Sequence, residues 1–114
     1  MSIMTGKEQA TLIEGSDGEL KLVGQVDYCN GKYLSELGQS IITQSKATAF
    51  TLDCSGVTRT SSVGVSLILS LIRDANQTGR ALLIKALTTD LEEIAKFSDL
   101  KEVLPLSEDY QVIG

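Results

Sequence analysis

Hydrophobic and polar positions change period several times along the chain, and each change marks an element. In "GELKLVGQV", residues 18–26, Leu20, Leu22 and Gly24 alternate with Glu19, Lys21 and Val23, the period of two expected of a half-buried strand. "QATLIEG", residues 9–15, reads as a first strand, and "GSDG" at 15–18 is a turn signal that predicts a hairpin between the two. From about Cys29 to Gln44 the spacing becomes three and four. Tyr33, Leu34, Leu37, Ile41 and Ile42 then share one apolar face of an amphipathic helix. Gly31 and Gly38 each weaken such a helix by ~1 kcal/mol relative to alanine, and Gly38 reads as close packing on a neighbouring strand.

"ATAFTLDCSGV", residues 47–57, returns to alternation. Phe50, Leu52 and Cys54 point one way and Ala49, Thr51 and Asp53 the other, with Ser55 and Gly56 ending the run. Its few charges predict a central strand covered on both sides, with Cys54 a small buried hydrophobe. In "TRTSSVGVSLILSLIRDA", residues 58–75, a cluster of hydroxyls runs into a helical pattern. Val65, Ile68, Leu69, Ile72 and Ala75 form a stripe, Leu67 and Leu71 widen it, and Gly79 is the C-terminal stop. "RALLIKAL", residues 80–87, is a further buried strand. "TTDLEEIAKFSDL", residues 88–100, is a helix with Thr88 or Thr89 as cap and Glu92 or Glu93 three to four residues on. The tail "KEVLPLSEDYQVIG" is a short element broken at Pro105, with its last residues unassigned. The order β-β-α-β-α-β-α, with right-handed crossovers, predicts an α/β fold: a mixed sheet with helices packed mainly on one face.

Length and charge narrow what such a fold does. The 114 residues suit one domain with a single core, spanning 1–114. No apolar run is long enough to cross a bilayer, and "MSIMTGKEQA" lacks the basic and apolar segments of a secretory signal. These features, with two cysteines that form no disulfide framework, predict a cytoplasmic protein with reduced thiols. A net charge of −5 with scattered basic residues argues against nucleic acid and against direct insertion into or binding to membranes. The chain has no histidine, which removes the usual Cys/His zinc site and the imidazole base of a hydrolytic triad. No dinucleotide fingerprint or phosphate loop is present. No catalytic residue, metal site or cofactor is therefore assigned, and the chain reads as a non-enzyme.

The hydroxyl cluster carries the candidate chemistry. Ser62 at a helix start accepts from an N2 or N3 amide as a cap, a contribution of ~1 kcal/mol. Ser61 and Ser62 together supply more hydroxyls than one cap requires, and helix N-terminal amides favour negative charge. A phosphate on Ser62, or a partner's carboxylate, is accommodated by such a helix end. The candidate partner surface is Arg59, Thr60, Ser61, Ser62, Val63 and Ser66, with Ser62 as the possible phospho-acceptor.

These same residues carry a resemblance. "LDCSGV" at 52–57, Ser62-Val63-Gly64 in the place of [ST]-x-G, Gly79 closing the helix and "DLEEIAKFSDLKEVLPL" are similar in order and spacing to STAS domains, the fold of anti-sigma factor antagonists. The resemblance covers about residues 18–106. The acidic residue that those switch proteins carry before the hydroxyl is replaced here by Ser61. "CSGVTRTSSVGVSLILSLIRDA" and "GQVDYCNGKYL" resemble instead the small STAS subunit of the Mla phospholipid ABC transporter, the MlaB type. That resemblance implies a non-catalytic cytoplasmic subunit, peripheral to the inner membrane, that binds the transporter ATPase and supports phospholipid trafficking and lipid asymmetry. The alternative it leaves open is an anti-sigma factor antagonist, controlled by an anti-sigma factor kinase acting on Ser62. A small-ligand or lipid-binding module using the apolar helix face ranks behind both, because that face is more simply explained as core.

Overall fold

A computed structural model describes residues 10–114 of the chain. Gln9, at the start of the first predicted strand, and the N-terminal stretch considered for a secretory signal lie outside the described residues, apart from Ala10. Five strands, β1 (Thr11–Glu14), β2 (Glu19–Val26), β3 (Ala49–Thr60), β4 (Ala81–Thr88) and β5 (Leu106–Ile113), form one sheet in the order β1-β2-β3-β4-β5. The β1–β2 hairpin is antiparallel and every later pairing is parallel. Three helices, α1 (Gly31–Gln44), α2 (Ser62–Gln77) and α3 (Thr89–Phe97), make the crossovers. They cover one face of the sheet, as the α/β pattern predicted.

The core lies between that face and the helices. Leu20, Leu22, Phe50, Leu52, Cys54, Leu82 and Ile84 from the strands meet Leu34, Ile42, Val65, Leu67, Ile68, Leu71 and Leu91 from the helices. Each large aliphatic side chain so buried contributes about 1.5–3 kcal/mol. The opposite face is open. Ala49, Leu83 and Lys85 are exposed, and Thr51 and Asp53 half-buried, so β3 and β4 are covered on one side rather than two. A run with few charges resembles a doubly covered strand, yet threonine, alanine and a single leucine tolerate solvent on the second side.

Ser55 and Gly56 do not end β3. The β2–β3 ladder shifts register between Lys21 and Val23, and again between Gly24 and Gln25, so extra β3 residues bulge while the strand continues to Thr60. The bulge reverses the side-chain phase: Cys54 and Val57, three apart, are both buried. The short element expected before Pro105 is a single 3-10 turn, Lys101–Val103, and the last residues, unassigned from sequence, are the edge strand β5, paired with β4 through Leu106↔Ile84 and Val112↔Leu87. A register shift between Ile84 and Ala86 interrupts that pairing and hides the alternation. Tyr110 Oη donates to Glu92 at 2.9 Å and ties β5 to α3.

Two helix faces differ in detail from the periodic reading. Tyr33 is exposed rather than part of the α1 core face. In α2 the deepest positions are Gly64, Val65, Leu67, Ile68, Leu71 and Ala75, while Leu69 and Ile72 are half-buried. Gly38 is a close-packing glycine, but a side chain there would meet Leu71 of α2 as well as Leu12 of β1. The stop at Gly79 is realised: its φ is +78°, its N–H reaches Asn76 O, and Arg80 N–H reaches Ala75 O, both at 3.0 Å. These are the paired bonds of a Schellman ending.

Candidate functional site

β3 delivers the chain to α2 through Thr60 and Ser61, and local hydrogen bonding decides which serine does what. Ser61 has extended backbone (φ −127°, ψ −168°) and its Oγ accepts from Val63 N at 3.2 Å. Ser61 is therefore the N-cap, and Ser62, expected from sequence as the capping serine, is the first residue inside the helix. A residue with helical φ/ψ cannot fold its side chain back onto the N2 and N3 amides, whereas the extended residue before it can. Thr60 Oγ1 donates to Ser61 O at 3.0 Å, and Gly64 N–H donates to the same carbonyl at 2.9 Å. Gly64 permits this close approach, since a Cβ there would run into Thr60 Oγ1 and would stand 3.0 Å from Leu91 Cδ2.

With the cap satisfied by Ser61, Ser62 is left exposed on a ridge between two grooves. One groove, of about 480 Å³, separates the start of α2 from α3 and is lined by Thr60, Ser62, Asp90, Glu93, Ile94, Phe97 and Ser98. The other, of about 300 Å³, separates α2 from α1, and its lining includes Tyr28, Gly31, Ser35, Val63, Ser66 and Ser70. Ser35 and Ser70 hydroxyls meet at 3.2 Å across that second groove. Of the residues singled out from sequence, Thr60, Ser61, Ser62, Val63 and Ser66 come together around this one turn. Arg59 lies opposite Gln25 in the β2–β3 ladder and lines neither groove.

Both grooves are flanked by aromatic side chains that sequence reasoning did not single out. Tyr28 is 82% and Phe97 95% exposed. Tyr28 sits on a loop turned in upon the buried Asn30, whose Nδ2 donates to Gln25 O at 2.7 Å and whose Oδ1 accepts from Asp27 N at 3.0 Å. Phe97 carried a legible signal. Leu91, Ile94 and Ala95 mark the inward side of α3, and Phe97 falls off that stripe, at helical spacing from Asp90 and Glu93. The cap of α3 is Thr88, which accepts from Leu91 N at 3.2 Å.

The electrostatics of the turn are divided. The N-terminus of α2 favours an anion, but Asp90 and Glu93 line the same groove as Ser62, and among the described residues no lysine or arginine lines it. On the other side of α3, Glu92 is held by Tyr110 and by Lys96 and Lys101, each at 3.5 Å. Burial alone would raise the Glu92 carboxyl, yet the Tyr110 hydrogen bond and the two lysines outweigh it and hold it below the ordinary range. Among the described residues no group of side chains is arranged to hold a metal ion. Cys54 is fully buried, and burial, then the charge of Asp53, pushes its thiol far above the ordinary range, which leaves it inert as a nucleophile. No helix among the described residues is long and apolar enough to cross a membrane.

Comparison with known proteins bears on this geometry. Residues 10–106 match the family model described as "Mlab, STAS domain". A search of curated proteins by sequence gives no match. Among solved structures, a chain of the Acinetobacter MlaFEDB complex in an ATP-bound conformation superposes with a TM-score of 0.70 at 19% identity, over 83% of this chain and 99% of that one. The anti-sigma factor antagonist SpoIIAA in its unphosphorylated form has a TM-score of 0.63 at 15% identity, over 92% and 88%. An anti-sigma factor antagonist from Mycobacterium paratuberculosis has a TM-score of 0.64 at 16% identity, over 87% and 84%. At these identities the likeness is one of fold.

Proposed function

The chain belongs to the Mlab-type STAS domain family, and from that footing we propose that it is a non-catalytic subunit docking on the ATPase of an ABC transporter for phospholipids. The observation that carries this reading is the division of labour at the start of α2. Ser61 caps the helix, so the Ser62 hydroxyl has no partner among the described residues and lines the α2–α3 groove, while Val63 and Ser66 line the α1–α2 groove on the other flank of the ridge formed by α2. A ridge with small hydroxyls, flanked by exposed aromatic side chains, suits insertion into a partner's surface. The fold likeness to a chain of the MlaFEDB complex supports the choice of partner. On this reading the protein works at the cytoplasmic face of the inner membrane, held there by its partner.

The second reading is a phosphorylation-controlled switch of the anti-sigma antagonist class. It draws on one observation, the exposed Ser62 hydroxyl at a helix N-terminus. Asp90 and Glu93 in the same groove oppose a phosphate there, and Ser61 stands where the switch proteins carry an acid. The two readings divide on paired substitutions. Ser62→Glu places a charge and extra bulk at the contact, costly unless paired, and copurification of the ATPase is lost under the transporter reading. Ser61→Asp restores the acid, and kinase-dependent phosphate incorporation at Ser62 that rises in this variant establishes the switch instead. The expected result is loss of the ATPase in Ser62→Glu with no incorporation in either form.

A further inference from the structure

The α2–α3 groove, which Thr60 and Ser62 help to line, has a chemistry beyond those hydroxyls. Phe97 is 95% exposed at its rim, Ile94 forms part of its wall, and among the described residues Asp90 and Glu93 are its only charged lining residues. Glu92, the neighbour of Glu93 in sequence, is matched by a tyrosine and two lysines on the other side of α3. Among the described residues neither Asp90 nor Glu93 has a salt-bridge partner. Asp90 is in the first turn of α3, where the helix dipole accounts for a carboxylate. Glu93 lies beyond that turn and gains little from it. An isolated exposed phenylalanine is common enough on a surface. Here it adjoins a groove and two unmatched carboxylates, which together define an apolar contact bordered by negative charge.

We propose that this groove receives a basic amphipathic segment of the partner protein, with lysine or arginine facing Asp90 and Glu93 and an apolar side chain packed on Phe97 and Ile94. The proposal rests on the docking reading above and specifies its chemistry. Charge complementarity selects the occupant: a phosphate, a nucleic acid or an anionic lipid headgroup meets two carboxylates with no cation in the lining, whereas a basic segment finds both its attractions in one place.

The test uses the full chain, isotope-labelled, titrated with two synthetic peptides of about 18 residues, long enough to form a helix. They share their leucine positions and differ only in carrying lysine or glutamate on the polar face. The lysine peptide is expected to shift the amide signals of Asp90, Glu93, Ile94 and Phe97, and the glutamate peptide to leave them unmoved. Asp90→Asn with Glu93→Gln should weaken the lysine peptide by about tenfold at low salt, and Phe97→Ser should weaken it without moving the melting temperature, since the ring is exposed. Equal shifts with both peptides, shifts mapping elsewhere, no shift with either, or concentration-dependent shifts of the same signals without peptide (a second copy as occupant) each overturn the proposal. A parallel pull-down with the purified transporter ATPase separates it from the function. If the ATPase binds wild type and the three substitutions equally, the basic segment is refuted and the docking reading stands. If the lysine peptide maps to the groove but the ATPase does not bind wild type, the groove chemistry stands and the transporter reading falls.

Discussion

The two ends of α2 solve the same problem in opposite ways. Just past the C-terminal end, carbonyls of the α1 terminus and of the loop before β3 are gathered by one side chain. Arg80, placed by the Schellman turn, donates to Ser45 O at 2.7 Å, to Ala47 O at 2.9 Å and to Ile42 O, and its guanidinium lies 4.8 Å from the centre of the Phe50 ring. At the N-terminal end a single serine hydroxyl meets one amide, and the next serine is left facing solvent between two grooves. One end is tied into the fold with its polar groups matched. The other keeps polar and aromatic groups exposed to solvent, and on the proposed docking reading that end is the one offered to a partner.

The comparison can be broken most forcefully at the closed end. Arg80→Ala removes three charge-assisted hydrogen bonds to carbonyls, a fourth from Nε to Thr78 Oγ1 and a cation–π contact, and chemical denaturation should show a loss of about 2–4 kcal/mol. Arg80→Lys should recover only part of this, because an ammonium cannot span three carbonyls with a planar fork. ATPase binding by the folded fraction should be unchanged in both, since Arg80 lies at the far end of the helix.

Next in size is Gly64→Ala, which forces a methyl group against Thr60 Oγ1 and Leu91. A loss of about 1–3 kcal/mol is expected from overpacking. Because α2 must shift to relieve it, copurification of the partner should fall as well. Ser61→Ala should cost about 0.5–2 kcal/mol as the loss of the cap, and Ser61→Asp, still able to accept from Val63 N–H, should recover most of it. Ser62→Ala sharpens the contrast. Its hydroxyl makes no capping bond, so the melting transition should move by no more than about 0.5 kcal/mol, while partner binding falls. Equal destabilisation by Ser61→Ala and Ser62→Ala would return the capping role to both serines and remove the reason for calling the second one free.

Much of this architecture was readable in the linear pattern because it depends on local period and punctuation. The spacing of Leu34, Leu37, Ile41 and Ile42 placed α1, and Gly79 marked the end of α2, because left-handed backbone at a helix ending is a property of the residue itself. Where long-range pairing intervened, the reading failed in instructive ways. Bulges opposite Val23 and Gln25 carried β3 through Ser55 and Gly56 to Thr60, and no local signal distinguishes a bulge from a strand end. β5 depends on β4 for half its definition, so its acidic stretch around Glu108 and Asp109 did not resemble a strand.

For the candidate site, the sequence by itself determined that hydroxyls cluster at the start of an apolar helix, that Gly64 follows them, and that the chain has no histidine. These are statements about which atoms are present and in what order. Tertiary structure alone decided which serine caps and which is free, because that depends on where the backbone turns from extended to helical after β3. It also decided that Ser62 shares a groove with Asp90, Glu93 and Phe97, residues about thirty positions away in the chain. The crossover from α2 through β4 brings α3 alongside, and only that packing turns a helix start into a surface with two sides.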